Sequence, residues 1–424
     1  MRISIKNHFL SLILLLAFST LANAQSYFDQ SILPKPSGSY KIGLMSLSLT
    51  DSSRAEKYLH HSAFRRVQLD IWYPANPDIN AKNVSYLEGF SSKLIYDIFK
   101  SKGIRMGLLD SIKKTPTHAS LRPAVASGQS KFPLIIFSPG FYFGMAPLYS
   151  AFMENLASQG YIVCSISHPY EQPYIKFTNG DEAYLKKKKS QLTYLQLWWA
   201  YKLQFRKPDS PEQIERITRN YLRKLKRFDR MVDLWKKDIE FVLNYFEQSQ
   251  KKKIGEIAVH KMDLSRIGIF GQSFGGALAG QLCVDDKRVL AGLNLDGFQF
   301  GDLIDKPLQK PFMLIQSGYN ALWNYGNSAI YAHPKADFYL VDIPKARHLI
   351  FSDAALLTDV PQVNKLDMIG HVQGPLVLNQ LNQLILAFFN FYLKDKEAPL
   401  LQKNLPFRGI TIEMKSPKSR QQHQ

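Results

Sequence analysis

Cysteine is scarce in this sequence: 424 residues carry only two, Cys164 and Cys283. A scaffold built on disulfides is thereby excluded. Both thiols sit in apolar surroundings, YIVCSIS and GQLCVDD, which suit buried free cysteines. Acid is also in short supply, with 35 Asp and Glu against 54 Lys and Arg and a net charge of +19. Beyond the first residues no apolar run reads as long enough to span a bilayer. There are no internal repeats, and no low-complexity tracts beyond Lys186–Lys189 and the polar tail after Ser416. What is abundant is core material. A hydrophobic fraction of 45% with 27 Phe is ample for one large folded domain and argues against disorder.

The N-terminus stands apart. Arg2 and Lys6 form a basic start, Phe9 to Ala22 an apolar stretch, and Ala22-Asn23-Ala24 a run of small residues fit for a signal peptidase. Residues 1–24 are therefore expected to be a signal peptide and the remainder, 25–424, one exported domain, periplasmic or secreted. Losing Arg2 and Lys6 would lower the charge from +19 to +17. Much of that charge is local. Residues 184–253 hold 19 Lys and Arg against 8 Asp and Glu. For an exported protein such a patch points to anionic phospholipid or surface glycans before nucleic acid.

Hydrophobic patterning gives the class. Arg65 to Tyr73 alternates as a strand should and is stopped by Pro74. Phe132–Ser138, Tyr161–Ile166, Ile267–Gly271, Val289–Leu295, Pro311–Gln316 and Phe338–Ile343 are short apolar runs of the kind buried on both faces. Helical segments fall between several of them: Leu148–Gln159, residues 191–206 and 210–249, and Leu376–Leu393. Residues 210–249 read as one continuous amphipathic helix, opened by Ser210 as N-cap and Pro211 at the first position. Strands alternating with helices imply an α/β fold with a mainly parallel central sheet and helices on both faces. The basic helical stretch 184–253 then reads as a lid-like insertion ahead of Ser273, or as aromatics packed on the domain with lysines facing water.

The sharpest motif is Gly271-Gln272-Ser273-Phe274-Gly275-Gly276. It follows the apolar strand RIGIF and opens the helical ALAGQLCV, the context of a nucleophile elbow. A serine on so tight a turn needs neighbours without side chains, and the adjoining helix N-terminus favours developing negative charge. A serine nucleophile needs a base and a carboxylate to orient it, in the chain order serine, acid, histidine. The segment PFMLIQSGYNALWNYG carries no carboxylate, so Asp296, closing the preceding strand, is the expected acid, with Asp342 as runner-up. Of His333, His348, His371 and His423, only His348 lies in the loop just after a strand, and it is the expected base. His168 reads as a wall of the site. Oxyanion donors are expected at the backbone N–H groups of Phe141, after Ser138-Pro139-Gly140, and of Phe274. No metal or cofactor is called for.

These segments resemble the plasma-type platelet-activating factor acetylhydrolases, the calcium-independent group VII phospholipase A2 enzymes and their bacterial relatives. The matching pieces are Gly38 to Gly43, DIWYPA (Asp70–Ala75), FSPGF with LYSAFMENLASQGYIV, GQSFGG, NLDG, ARHLIFSD, the region of Gly374, and AFFNFYL (Ala387–Leu393). The resemblance implies an α/β-hydrolase fold and a serine esterase acting on short or oxidised acyl esters of phospholipids. It also implies Ser273 as nucleophile, Asp296 as acid, His348 as base, and Phe141 and Phe274 as oxyanion donors. Pro139 and Gln272 depart from it, standing where the family often has His. A broader carboxylesterase or polyester hydrolase, and a non-catalytic surface-binding protein on the same scaffold, are the other readings.

Overall fold

The computed structural model describes residues 31–416 except 60–62, 79–80, 88–89, 91–92, 94–95, 98–105, 187, 189–191, 194, 197–209, 319–320, 358–368 and 402–406. The expected signal peptide, His423, and Trp198 and Trp199 lie outside these residues.

The strands are β1 (Lys41–Ala55), β2 (Phe64–Ala75), β3 (Asn83–Ser85), β4 (Pro116–Leu121), β5 (Phe132–Ser138), β6 (Ile162–Ser167), β7 (Tyr174–Lys176), β8 (Glu182–Tyr184), β9 (Met262–Gln272), β10 (Val289–Leu295), β11 (Phe312–Ser317), β12 (Phe338–Ile343) and β13 (Thr411–Lys415). All but β7 and β8, which pair with each other, form one sheet in the order β13-β12-β11-β10-β9-β5-β6-β2-β1-β4-β3. From β12 through β6 every neighbouring pair is parallel. The β6–β2 and β2–β1 pairs on one side and β12–β13 on the other are antiparallel. β5, β10 and β12 begin and end where the apolar runs do, because burial on both faces demands an unbroken apolar sequence.

Two cores follow from the pleat. Phe132, Leu134 and Ile136 of β5 enter one, Ile135 and Phe137 the other. The second of these is covered by helices α1 (Ser150–Ser158) and α2 (Gly374–Lys394), through Phe152, Leu156, Leu381, Leu384 and Phe388. α2 has the length and hydropathy of a membrane span, contrary to the expectation that no late segment would. Its Leu378, Leu381, Leu384 and Phe388 are fully buried against the sheet, as in the core helix of a globular domain.

The opposite face is covered by α3 (Pro211–Lys224), α4 (Lys226–Lys252) and α5 (Phe274–Asp285). The expected continuous helix over 210–249 is two helices, broken at Leu225, whose ψ of 33° leaves the helical range. Leu225 is fully buried, so the break turns the chain while keeping an apolar side chain in the core. Ser210 caps α3 as expected, its Oγ accepting from Gln213 N. Trp235, Ile239, Val242 and Phe246 of α4 are fully buried, so this half of the basic stretch is a structural layer under the sheet. The helix expected at 191–206 falls largely outside the described residues. Cys164 and Cys283 are buried free thiols, and burial pushes the Cys283 thiol up to about 12.

Candidate active site

Ser273 sits between the end of β9 and the start of α5 with φ 57° and ψ −121°. Positive φ is costly for a residue with a Cβ. The turn is held by Ser273 N donating to Leu295 O at 2.8 Å and by Gly276 N and Ala277 N donating to Ser273 O. Close packing makes Gly275 obligatory: a Cβ there would lie 2.0 Å from Ser138 O. Phe274 is the first residue of α5, so its N–H has no acceptor within the helix.

Asp296 follows β10 with φ 57°, a conformation that Asp tolerates better than most residues. Asn294 closes the turn, donating to Gly297 O at 3.0 Å and accepting from Gly297 N at 2.8 Å. A Cβ on Gly297 would fall 2.0 Å from Ser273 O, so the acid turn packs directly on the elbow. The carboxylate accepts from Ser317 N at 2.6 Å and Ser317 Oγ at 2.9 Å. His348 opens a short 3₁₀ turn after β12, and its Nδ1 lies 2.7 Å from Asp296 Oδ2. Acid and histidine are thus brought together, 52 residues apart in the chain. Asp342 instead accepts from Gln316 Nε2, and His333 and His371 are exposed on the surface.

His348 Nε2, the ring nitrogen on the side away from Asp296, accepts from the Gln272 amide at 2.8 Å. Ser273 Oγ makes no hydrogen bond among the described residues. Gln272 in turn accepts from the Tyr149 phenol at 3.0 Å. Sequence reasoning marked Gln272 only as a departure from the family pattern and passed over Tyr149; no spacing rule links them.

The loop after β5 lies against Ser273. A Cβ on Gly140 would come 3.3 Å from Ser273 Cβ, and the rings of Phe141 and Phe274 are 6.5 Å apart. The loop that carries Phe141 therefore runs beside Ser273, and Phe274 follows Ser273 directly in the chain. His168, expected at the site wall, is fully buried behind this loop. Its Nε2 is 3.2 Å from Ser138 Oγ and its Nδ1 2.8 Å from Asp238 Oδ2, with Trp235 stacked on the ring at 3.9 Å. Asp238 also takes Arg65 as a fork, at 3.1 and 2.6 Å. Burial alone would raise the Asp238 carboxyl, but Arg65 and His168 outweigh it and hold it well below the usual range. Burial lowers the His168 imidazole against the upward pull of Asp238, which favours the neutral ring. It donates to Asp238 and accepts from Ser138. Tyr142 N also donates to Glu171 O at 3.1 Å, and Glu171 accepts from Trp235 and Tyr58. The loop after β5 is thus tied to α4 at two points and, through Asp238 and Arg65, to β2 at one.

A parallel sheet with helices on both faces and a strained serine at the strand-to-helix turn define an α/β-hydrolase. The ferulic acid esterase from Streptomyces cinnamoneus has the same fold, with a TM-score of 0.68 at 23% identity over 91% of this chain and 99% of that one. The family model of platelet-activating factor acetylhydrolase, isoform II, matches residues 25–404. A probable 1-alkyl-2-acetylglycerophosphocholine esterase of Arthroderma benhamiae is 24% identical over 90% of this chain and 93% of its own length. The platelet-activating factor acetylhydrolase of Cavia porcellus is 24% identical over 86% and 79%. The chain belongs to the platelet-activating factor acetylhydrolase isoform II family and is a carboxylic ester hydrolase.

Proposed function

We propose that the protein is a serine esterase that removes short or oxidised acyl chains from phospholipids, without calcium, through Ser273, His348 and Asp296. The observation that carries the mechanism is the 2.7 Å contact of His348 Nδ1 with a carboxylate pinned by Ser317, beside a serine on a strained elbow. The bond to Asp296 fixes the tautomer, leaving the Nε2 lone pair as the base. Ser273 Oγ attacks the ester carbonyl while its proton passes to Nε2. The Phe141 and Phe274 N–H groups stabilise the oxyanion, each worth about 3 kcal/mol in comparable sites. His348 then protonates the departing alcohol, and water activated by the same nitrogen releases the acid from the acyl-enzyme.

The names of the relatives support a phospholipid with a short sn-2 acyl group as the substrate. Product analysis on phosphatidylcholines of graded sn-2 length, with and without a calcium chelator, tests this. Turnover should fall steeply as the chain lengthens and be unaffected by the chelator. Equal rates across lengths would favour a general esterase instead.

The same reading includes export through residues 1–24, checked by sequencing the N-terminus of the mature protein. It also includes recruitment to anionic bilayers by the basic part of 184–253 that precedes Ser210. Substituting Lys186, Lys188 and Trp198 should weaken liposome binding and spare turnover of p-nitrophenyl acetate. Parallel loss of both would refute recruitment.

A further inference from the structure

Activation of Ser273 requires the lone pair on His348 Nε2, and one lone pair serves one strong donor. That donor here is the Gln272 amide nitrogen, at 2.8 Å. Which end of an amide faces an imidazole is set by its other partners. The Tyr149 phenol donates to Gln272 Oε1 at 3.0 Å, which holds that oxygen away from the imidazole. With its oxygen taken, Gln272 can offer His348 only an N–H. Gln272 and Tyr149 are each 3% exposed, so water does not replace either contact. Asp296 already orients the imidazole from its other side, so the amide is not needed to hold the ring.

We propose that Gln272, set by Tyr149, is a positioning residue that latches the base: the amide occupies His348 Nε2 in the resting enzyme, and Ser273 is activated only when its hydroxyl displaces that amide. The inference rests on the esterase reading and deepens it. Its chemistry is directional. Once Nε2 carries a proton, it and the amide N–H are two donors facing each other, so the latch opposes the imidazolium while Asp296 favours it. The other charged or titratable groups nearby are Lys345 and Arg347 on the loop of His348 and His371, whose N–H donates to Lys345 O. Behind Tyr149 lie Asp353, whose carboxyl burial pushes up to about 7, and Glu154. All of them remain when Gln272 is changed.

The test uses the full chain and p-nitrophenyl acetate, with kcat/KM followed from pH 5 to 9. Gln272→Met keeps the volume and loses the donor. Its acidic limb should move to higher pH by about half a unit or more, and its plateau should rise about fivefold, the worth of one neutral hydrogen bond. Tyr149→Phe frees the amide to turn its oxygen to the imidazolium and should move the limb the same way. The double variant should match Gln272→Met alone, because Tyr149 acts through the amide. An acidic limb that stays or moves down, or additive effects of the two changes, overturns the latch. Thermal melts identify a variant that has not folded, and Tyr149→Phe, the milder change, then carries the decision. Failure of the esterase reading itself would be distinct: the unmodified protein would neither turn over the ester nor be labelled at Ser273 by diisopropyl fluorophosphate.

Discussion

Ser138, His168 and Asp238 are joined by contacts of 3.2 and 2.8 Å, whereas in the set Ser273, His348 and Asp296 only the last two are joined, at 2.7 Å. On hydrogen bonds alone the first set is the better serine–histidine–aspartate arrangement. Yet all three of its side chains are buried, Trp235 covers the imidazole, and Ser138 ends an ordinary strand. The second set has a half-buried serine on a strained turn, a histidine side chain 31% exposed and a helix N-terminus alongside. Access and backbone strain, more than a completed hydrogen-bond chain, set the proposed reacting serine apart from a bracing one.

The largest test of that contrast is removal of each hydroxyl. Ser273→Ala should lower p-nitrophenyl acetate turnover by roughly four orders of magnitude or more. Ser138→Ala should lose about tenfold or less, from loosening of the oxyanion loop. Comparable losses from both would erase the distinction.

The two aspartates should differ in the opposite sense. Asp238→Ala leaves Arg65 with its main buried partner gone, and urea unfolding should show a loss of roughly 3–5 kcal/mol. Asp296→Asn should change unfolding far less while lowering turnover by about four orders of magnitude through the wrong imidazole tautomer. A destabilised Asp296→Asn and a well-folded Asp238→Ala would reverse the assignment.

Smallest are the effects of pH on stability. His168 has its imidazole pKa lowered in the fold, so the unfolded chain binds the extra proton. Its contribution is complete above about pH 6.5 and declines below it. Asp353 has its carboxyl raised to about 7, so the folded state holds a proton that the unfolded chain has lost. Its contribution is complete below about pH 4 and is lost as pH rises towards 7. His168→Gln should therefore make urea midpoints at pH 5 rise relative to those at pH 7.5. Asp353→Asn should make them fall. Matching slopes in the two variants would contradict both assignments.

The elbow, its glycines, and the places of Asp296 at the end of β10 and His348 after β12 were all legible because each depends on residues near it in the chain. Gly275 is needed by a turn five residues long, and the strands announce themselves as apolar runs between breakers. The helix break at Leu225 was not legible, since the amphipathic period runs straight through it. Nor were the partners of His168, Arg65 and Gln272. Arg65 meets Asp238 from 173 residues away, Tyr149 meets Gln272 from 123, and Gln272 meets His348 from 76.

By itself, then, the sequence determined the layered sheet, the strained serine and the chain order of Asp296 and His348, because backbone sterics and hydrophobic period act over a few residues. The tertiary structure alone decided which histidine would be sealed and which half-open, and which donor would rest against the base nitrogen. Those outcomes depend on burial and on single lone pairs shared between distant side chains, and neither leaves a local pattern.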